Sequence, residues 1–224
     1  MSTDAPRTPT RPTWEAAPVV PADLRAAVHC FRETLDPAVD RDWVVPAGQL
    51  EMSCRDVLDH AVGGLAYYVG QLATRAPVRR VPLRARDATT GVADLVELTE
   101  TAALALAAVA EAAPPDARAY HALGRADAEA FVAMACVEVL VHTWDVAEGL
   151  GLPMEPPAGV APRLLRRLYR LAPTGHDAWA TLLHASGRVP LGDLPHVRGG
   201  AWGWHVPPLE EWDGSPSPTW EGIP

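Results

Sequence analysis

Apolar residues recur along much of this chain at intervals of three and four, the spacing that gathers them on one face of an α-helix. The first such stretch is PADLRAAVHCFRETL, with Leu24, Ala27, Val28, Phe31 and Leu35 in register. Pro21 opens it and Pro37 closes it, which predicts a helix over 21–36. Val57, Leu58, Val62, Leu65 and Val69 predict a second helix over 54–75, ending before Pro77. Ser53 is its N-cap, and Asp56 stands three residues on in the manner of a capping box. An Ala- and Leu-rich helix over 91–112 stops at Pro114 and Pro115. The longest run predicts a helix over 124–149 that ends at Gly149 or Gly151. Two shorter helices are expected over 157–171 and 176–186. No stretch alternates with period 2 for long enough to make a sheet, and no repeat of fixed period is present.

The expected fold class is all-α. Four core helices, the first two joined by the long connector DRDWVVPAGQLEMS, suggest a helical bundle with one crossover that is not a tight turn. The Pro- and Thr-rich residues 1–17 are expected to form a disordered arm. Residues 18–188 would hold the bundle and its additional C-terminal helices. Residues 189–224, rich in Pro, Gly and Trp, would form a tail or lid.

Composition narrows the partners. The chain has 224 residues, 48% hydrophobic and 21% charged, which suits one domain with a real core. Its formal net charge of −9 argues against nucleic acid and against an anionic membrane surface, since both need a basic face. All 19 basic residues are Arg and none is Lys, the coding bias of a GC-rich genome. Cys30, Cys54 and Cys136 are scattered, without C-x-x-C spacing, and read as reduced thiols. No apolar h-region opens the chain, and no apolar run reaches the ~18 residues of a membrane span. The expectation is a cytoplasmic protein.

The candidate chemistry lies in the fourth helix. Glu138 and His142 are four residues apart within ADAEAFVAMACVEVLVHTWDVAEGLG. Residues so spaced sit about 40° apart around a helix, so their side chains project together. A carboxylate and an imidazole enclosed side by side are costly unless something pairs with both. A divalent metal would do so, and His60, mid-way along the second helix, is placed to supply a third ligand. Two His and one Glu leave a position open, as catalytic metal sites do. The bland alternative is a solvated Glu beside a His satisfied by a carbonyl. Against it, Glu138 is flanked by Val137, Val139, Leu140 and Val141, and Phe131, Ala135, Glu138, His142 and Asp145 form one stripe. Asp56, one turn before His60, would accept its second imidazole proton.

Other residues carry paired readings. Asp145 either orients a ligand, acts as a general base, or bonds locally near the helix end. His29 is a fourth ligand, an acid/base or a satisfied core histidine. The loop arginines Arg79, Arg80, Arg84 and Arg86 either clamp a carboxylate of a bound cofactor or are solvated. Cys54 and Cys136 read as small buried hydrophobes. Trp202, Trp204, Trp212 and Trp220 either wall a pocket, clasp the bundle, or cover a second subunit in a homodimer.

WVVP followed by SCRDVLDHAVGG resembles the second-helix motif of the DinB-like superfamily, and in particular its mycothiol-dependent maleylpyruvate isomerase N-terminal branch from actinomycetes. EVLVHTWDVAEGLG resembles that branch's fourth-helix motif, and DAWATLLHASGR the end of its core. The resemblance spans roughly residues 20–188. It implies a DinB-like four-helix bundle whose metal triad is His60, Glu138 and His142. It also implies zinc or another divalent ion, and a low-molecular-weight thiol, mycothiol, as cosubstrate. The isomerase's further α/β domain has no counterpart after Gly187, so maleylpyruvate is not the expected substrate. The expected activity is a metal- and mycothiol-dependent thiol transferase or thiol-assisted isomerase acting on a small-molecule electrophile, with His142 and Asp145 as catalytic residues. A metal-dependent hydrolase or cyclase that uses no thiol, and a non-catalytic binding module, are the alternatives.

Overall fold

The computed structural model describes residues 13–80, 87–196 and 203–217. Among them the chain is mostly helical: α1 (Pro21–Leu35), α2 (Cys54–Thr74), α3 (Val92–Ala112), α4 (Ala128–Leu150), α5 (Val160–Leu168) and α6 (Ala178–Ala185). Local chemistry sets several of these ends. The Asp23 carboxylate takes the Val20 amide at 2.9 Å. Ser53 accepts the Asp56 amide at 3.1 Å, as its sequence position predicts. Asp127 and Asp177 cap α4 and α6 through the amides of Ala130 and Ala180, each at 2.8 Å. Gly151, left-handed at φ 65°, stops α4.

The four long helices pack on one another. α2 lies against α3 and α4, and α1 closes on α3 and α4 from the other side. α4 is buried nearly all round, so it shows no polar face in sequence. By length and hydropathy alone it is apolar enough to cross a membrane, with a mean hydropathy of 1.5 over its best 18 residues. This corrects the reading that no run is so long; 83% of that stretch is buried inside the fold.

The long connector is a packed element. Trp43 is buried and donates its indole N–H to the Ala38 carbonyl at 2.8 Å. Pro46 bridges Ser53, and Arg41 bonds the Leu150 carbonyl at 2.8 Å. At Gly149 the connector and the start of α2 press directly on α4. A Cβ there would collide with the Pro46 carbonyl and lie 2.7 Å from Cys54 Sγ. α2 and α4 run antiparallel from this contact. Six residues on from Cys54 and seven back from Gly149, His60 and His142 come level, each roughly 10 Å along its helix.

Three expectations are corrected. The fold is all-α in character as expected, but Ala119–His121 (β1) and Gly124–Ala126 (β2) pair antiparallel as a small hairpin, so α4 begins at Ala128 and not at 124. Three-residue strands are too short to display alternation. His29 faces solvent, with its side chain 75% exposed and paired with Glu33 at 3.3 Å. The inward stripe of α1 passes through Val28 and Phe31, and His29 is turned away from both. Trp14, within the arm expected to be disordered, bonds the Pro173 carbonyl at 2.9 Å and packs on the core. Residues 1–12 lie outside the described residues.

Candidate metal centre

His60 on α2 and Glu138 and His142 on α4 converge, with one ligand atom from each lying within 4.8 Å of the others. Glu138 Oε2 is 3.2 Å from His142 Nε2 and 3.9 Å from His60 Nε2. The two imidazoles meet edge to face, with centroids 5.3 Å apart. Gly64, one turn after His60, faces the Glu138 carboxyl; a Cβ there would lie 3.7 Å from its carbon. His60 is 44% exposed along its side chain against 16% for His142, so the group opens to solvent on the α2 side.

Each α4 residue is held from behind. The Tyr68 hydroxyl donates to Glu138 Oε1 at 3.2 Å. The second oxygen, Oε2, is sealed from solvent and meets only the two imidazoles, His142 Nε2 at 3.2 Å and His60 Nε2 at 3.9 Å. A shielded carboxylate is costly unless a charge or donor meets it, and here the two imidazoles, or an ion held between them, would do so. His142 Nδ1 lies 3.0 Å from Asp145 Oδ2. Asp145 is in turn gripped by Arg188, Nε to Oδ1 at 3.1 Å and Nη2 to Oδ2 at 2.7 Å. A carboxylate behind Nδ1 fixes the ring and turns Nε2 toward the centre, the usual support of a metal-binding histidine. The donor set therefore fits a divalent ion, and these residues form a possible metal-binding group.

The charges bear the mark of this crowding. Burial alone would push the His142 imidazole down, but bonds to Asp145 and Glu138 outweigh it and carry its pKa up to about 9. Burial would push Glu138 up, yet His142, His60 and Tyr68 hold it below its ordinary value. Asp145 is likewise held low, by His142 and Arg188 against burial. In the metal-free protein His142 thus carries a proton at neutral pH. Its folded pKa exceeds the unfolded value, so the stability it lends is complete below about pH 6.5 and is lost as pH rises through about 9. A metal must displace that proton. We therefore expect metal-free protein to melt progressively lower from pH 6.5 to 9, while zinc affinity rises over the same window. Melting curves and zinc titrations across that range check both; affinity flat in pH would contradict the assignment.

Of the other expected site residues, Asp145 bonds a member of the centre directly. Asp145 is 1% exposed and stands behind His142, away from the open side. Asp56 pairs with Arg55 at 2.9 Å and its amide is capped by Ser53. Arg79 and Arg80 are exposed; the Arg80 guanidinium lies 4.7 Å over the Tyr67 ring, two turns along α2 from His60. Arg84 and Arg86, like Trp202 and Trp220, lie outside the described residues. The thiols of Cys54 and Cys136 are buried, and burial pushes Cys54 up to about 11 and Cys136 well above the usual thiol range. Cys30, also raised by burial, bonds the Glu155 carbonyl far down α1. Sequence reasoning missed Tyr68 and Arg188. Tyr68 carried a weak signal, a hydroxyl within an apolar helix that requires a partner; Arg188 carried none.

Against known protein families, curated proteins and solved structures, the chain gives no match.

Proposed function

We propose that the chain is a DinB-like helical-bundle metalloenzyme in which His60, Glu138 and His142 hold zinc or a similar divalent ion. We further propose that it joins mycothiol, or a related small thiol, to an electrophilic small molecule or uses the thiol to isomerise one. The observation that carries the reading is the convergence of one ligand atom each from His60, Glu138 and His142 within 4.8 Å, on a side where His60 is open to solvent. When bound, the ion would supply Lewis acidity sufficient to keep a thiol ionised at neutral pH. The chain's own part is to orient and to exclude. Asp145 sets the His142 ring, Tyr68 fixes the rotation of the Glu138 carboxyl, and Gly64 leaves room above it. The three cysteines are held protonated by burial and stand in the core, which favours a nucleophile brought from outside. Arg80, exposed on Tyr67, is suited to a carboxylate of that cosubstrate.

The test is a thiol titration of cobalt-substituted protein. A sulfur-to-cobalt absorption band that saturates with mycothiol is the expected result, together with turnover that needs both thiol and metal. Full turnover without thiol, or by metal-stripped protein, would overturn the proposal. Metal-dependent turnover indifferent to thiol would mark a Lewis-acid hydrolase or cyclase instead.

A further inference from the structure

Two chains of contact lead away from the α4 members of the centre, and both end on the same residue of the C-terminal segment. From Glu138 the path runs through the Tyr68 hydroxyl at 3.2 Å to the Tyr68 ring, which lies 6.0 Å from the His121 ring. His121, on β1, packs in turn on the Trp204 indole, with centroids 6.4 Å apart and planes inclined by 34°. From His142 the path runs through Asp145 to Arg188, whose Nη1 donates to the Ser186 carbonyl at 2.6 Å. The Ser186 hydroxyl is 3.0 Å from the Tyr169 hydroxyl, which also bonds the Trp204 side chain.

Trp204 is held in place by more than its own contacts. It is 6% exposed and belongs to the core. The next residue, His205, donates its amide to the Leu168 carbonyl at 2.8 Å. The Arg167 guanidinium then takes the carbonyls of His205, Val206 and Pro207 at 2.7, 3.1 and 3.1 Å. On the other side the segment presses on Gly124, where an added Cβ would lie 3.2 Å from Pro207.

We propose that Trp204 is a positioning residue of the metal centre, the common buttress that sets both the Glu138 carboxyl and the His142 ring. This rests on the metal reading above. Partners bonded directly to metal ligands typically alter affinity by roughly 10- to 100-fold when removed. Trp204 acts from further back, through His121 and Tyr68 on one path and Tyr169 and Ser186 on the other, so its removal should cost less than that. Trp204 also places the start of the tail: residues 204–207 are fastened to the bundle and are not an independent appendage.

The experiment uses the full chain. Zinc affinity by competition with a chelator, and the cobalt absorption spectrum, are measured for Trp204→Ala, Trp204→Phe and Trp212→Ala. Trp212 lies on the same tail but stacks outside, over Arg170 at 4.6 Å. We expect Trp204→Ala to bind zinc roughly 3- to 10-fold more weakly, below the loss typical of a direct partner, with a shifted cobalt spectrum. Trp204→Phe keeps a ring on His121 and loses the indole N–H, so a smaller loss in the same direction is expected. Trp212→Ala should match the parent in both readouts. Parental affinity and spectrum in folded Trp204→Ala, or in Trp204→Phe if only that variant folds, would overturn the proposal. So would an equal loss in Trp212→Ala, which would reduce the effect to general loosening of the tail. Failure of the parent chain itself to bind zinc or cobalt would instead remove the metal reading on which the proposal stands.

Discussion

His142→Ala is expected to bind zinc more than a hundredfold more weakly than the parent chain and to lose its turnover with it, a larger effect than the 10- to 100-fold typical of a residue behind a ligand. The imidazole occupies the centre of the arrangement. Its Nε2 is one of the three ligand atoms, its Nδ1 meets Asp145 at 3.0 Å, and its protonated form neutralises Glu138 in the metal-free state. Without it, His60 and Glu138 remain 3.9 Å apart, and two ligands do not hold a divalent ion against water. Glu138 would also be left with a shielded oxygen and only His60 and Tyr68 to offset its charge, so its pKa should rise. The metal-free variant should therefore lose the pH-dependent stability lent by the His142 proton, which is on the order of 3 kcal/mol when fully expressed. Chelator competition, metal content after dialysis and melting at pH 6 and 9 measure these effects separately. Stoichiometric zinc retained by folded His142→Ala would remove it from the ligand set.

Much of this centre is legible in sequence because its key pair is local. Four residues on one helix fix the geometry of Glu138 and His142 whatever the rest of the chain does. The bounds of α1, α2 and α3 are legible for the same reason: prolines and caps act within a turn. His60 is legible as a candidate, but its level against His142 is not. That level depends on the contact of Gly149 with Pro46 and Cys54, which joins residues about a hundred positions apart. Gly149 read as a helix end, whereas its lack of a side chain serves a close crossing inside α4. Arg188 and Trp204 were illegible as supports, because nothing near them in sequence indicates Asp145, 43 residues away, or His121. The tryptophan-rich tail admitted a wall, a clasp or a subunit interface, and the described part divides these roles. Trp204 lies in the core and Trp212 lies outside on Arg170.

Arg167→Met is expected to destabilise the chain by about 3–5 kcal/mol, the usual cost of removing one partner from a buried charged network. In RLLRRLYR four arginines lie close together, three on α5 and Arg170 just beyond its end, and only the fold distinguishes them. Arg163 pairs with Asp23 and Arg166 with Glu129, while Arg170 stacks on Trp212. Arg167 alone is 0% exposed. Its guanidinium donates to Asp127 Oδ1 at 2.7 Å, on the residue that caps α4, and to the three tail carbonyls. Met preserves the apolar stem and strips four acceptors of their donor. Three of those acceptors are backbone carbonyls with no freedom to turn elsewhere while Trp204 stays seated. The variant must therefore leave them unpaired or release the tail to water, and both routes are unfavourable. For a chain of this size each kcal/mol lowers the melting temperature by roughly 2–4 °C, so a fall on the order of 10 °C is expected. If the tail is released, zinc affinity should fall along with the melting temperature, because Trp204 then ceases to brace His121 and Tyr169. If the carbonyls stay in place unpaired, the melting temperature falls alone. A variant that melts within about 2 °C of the parent would mean that water already meets those carbonyls and that Arg167 does not clamp the tail.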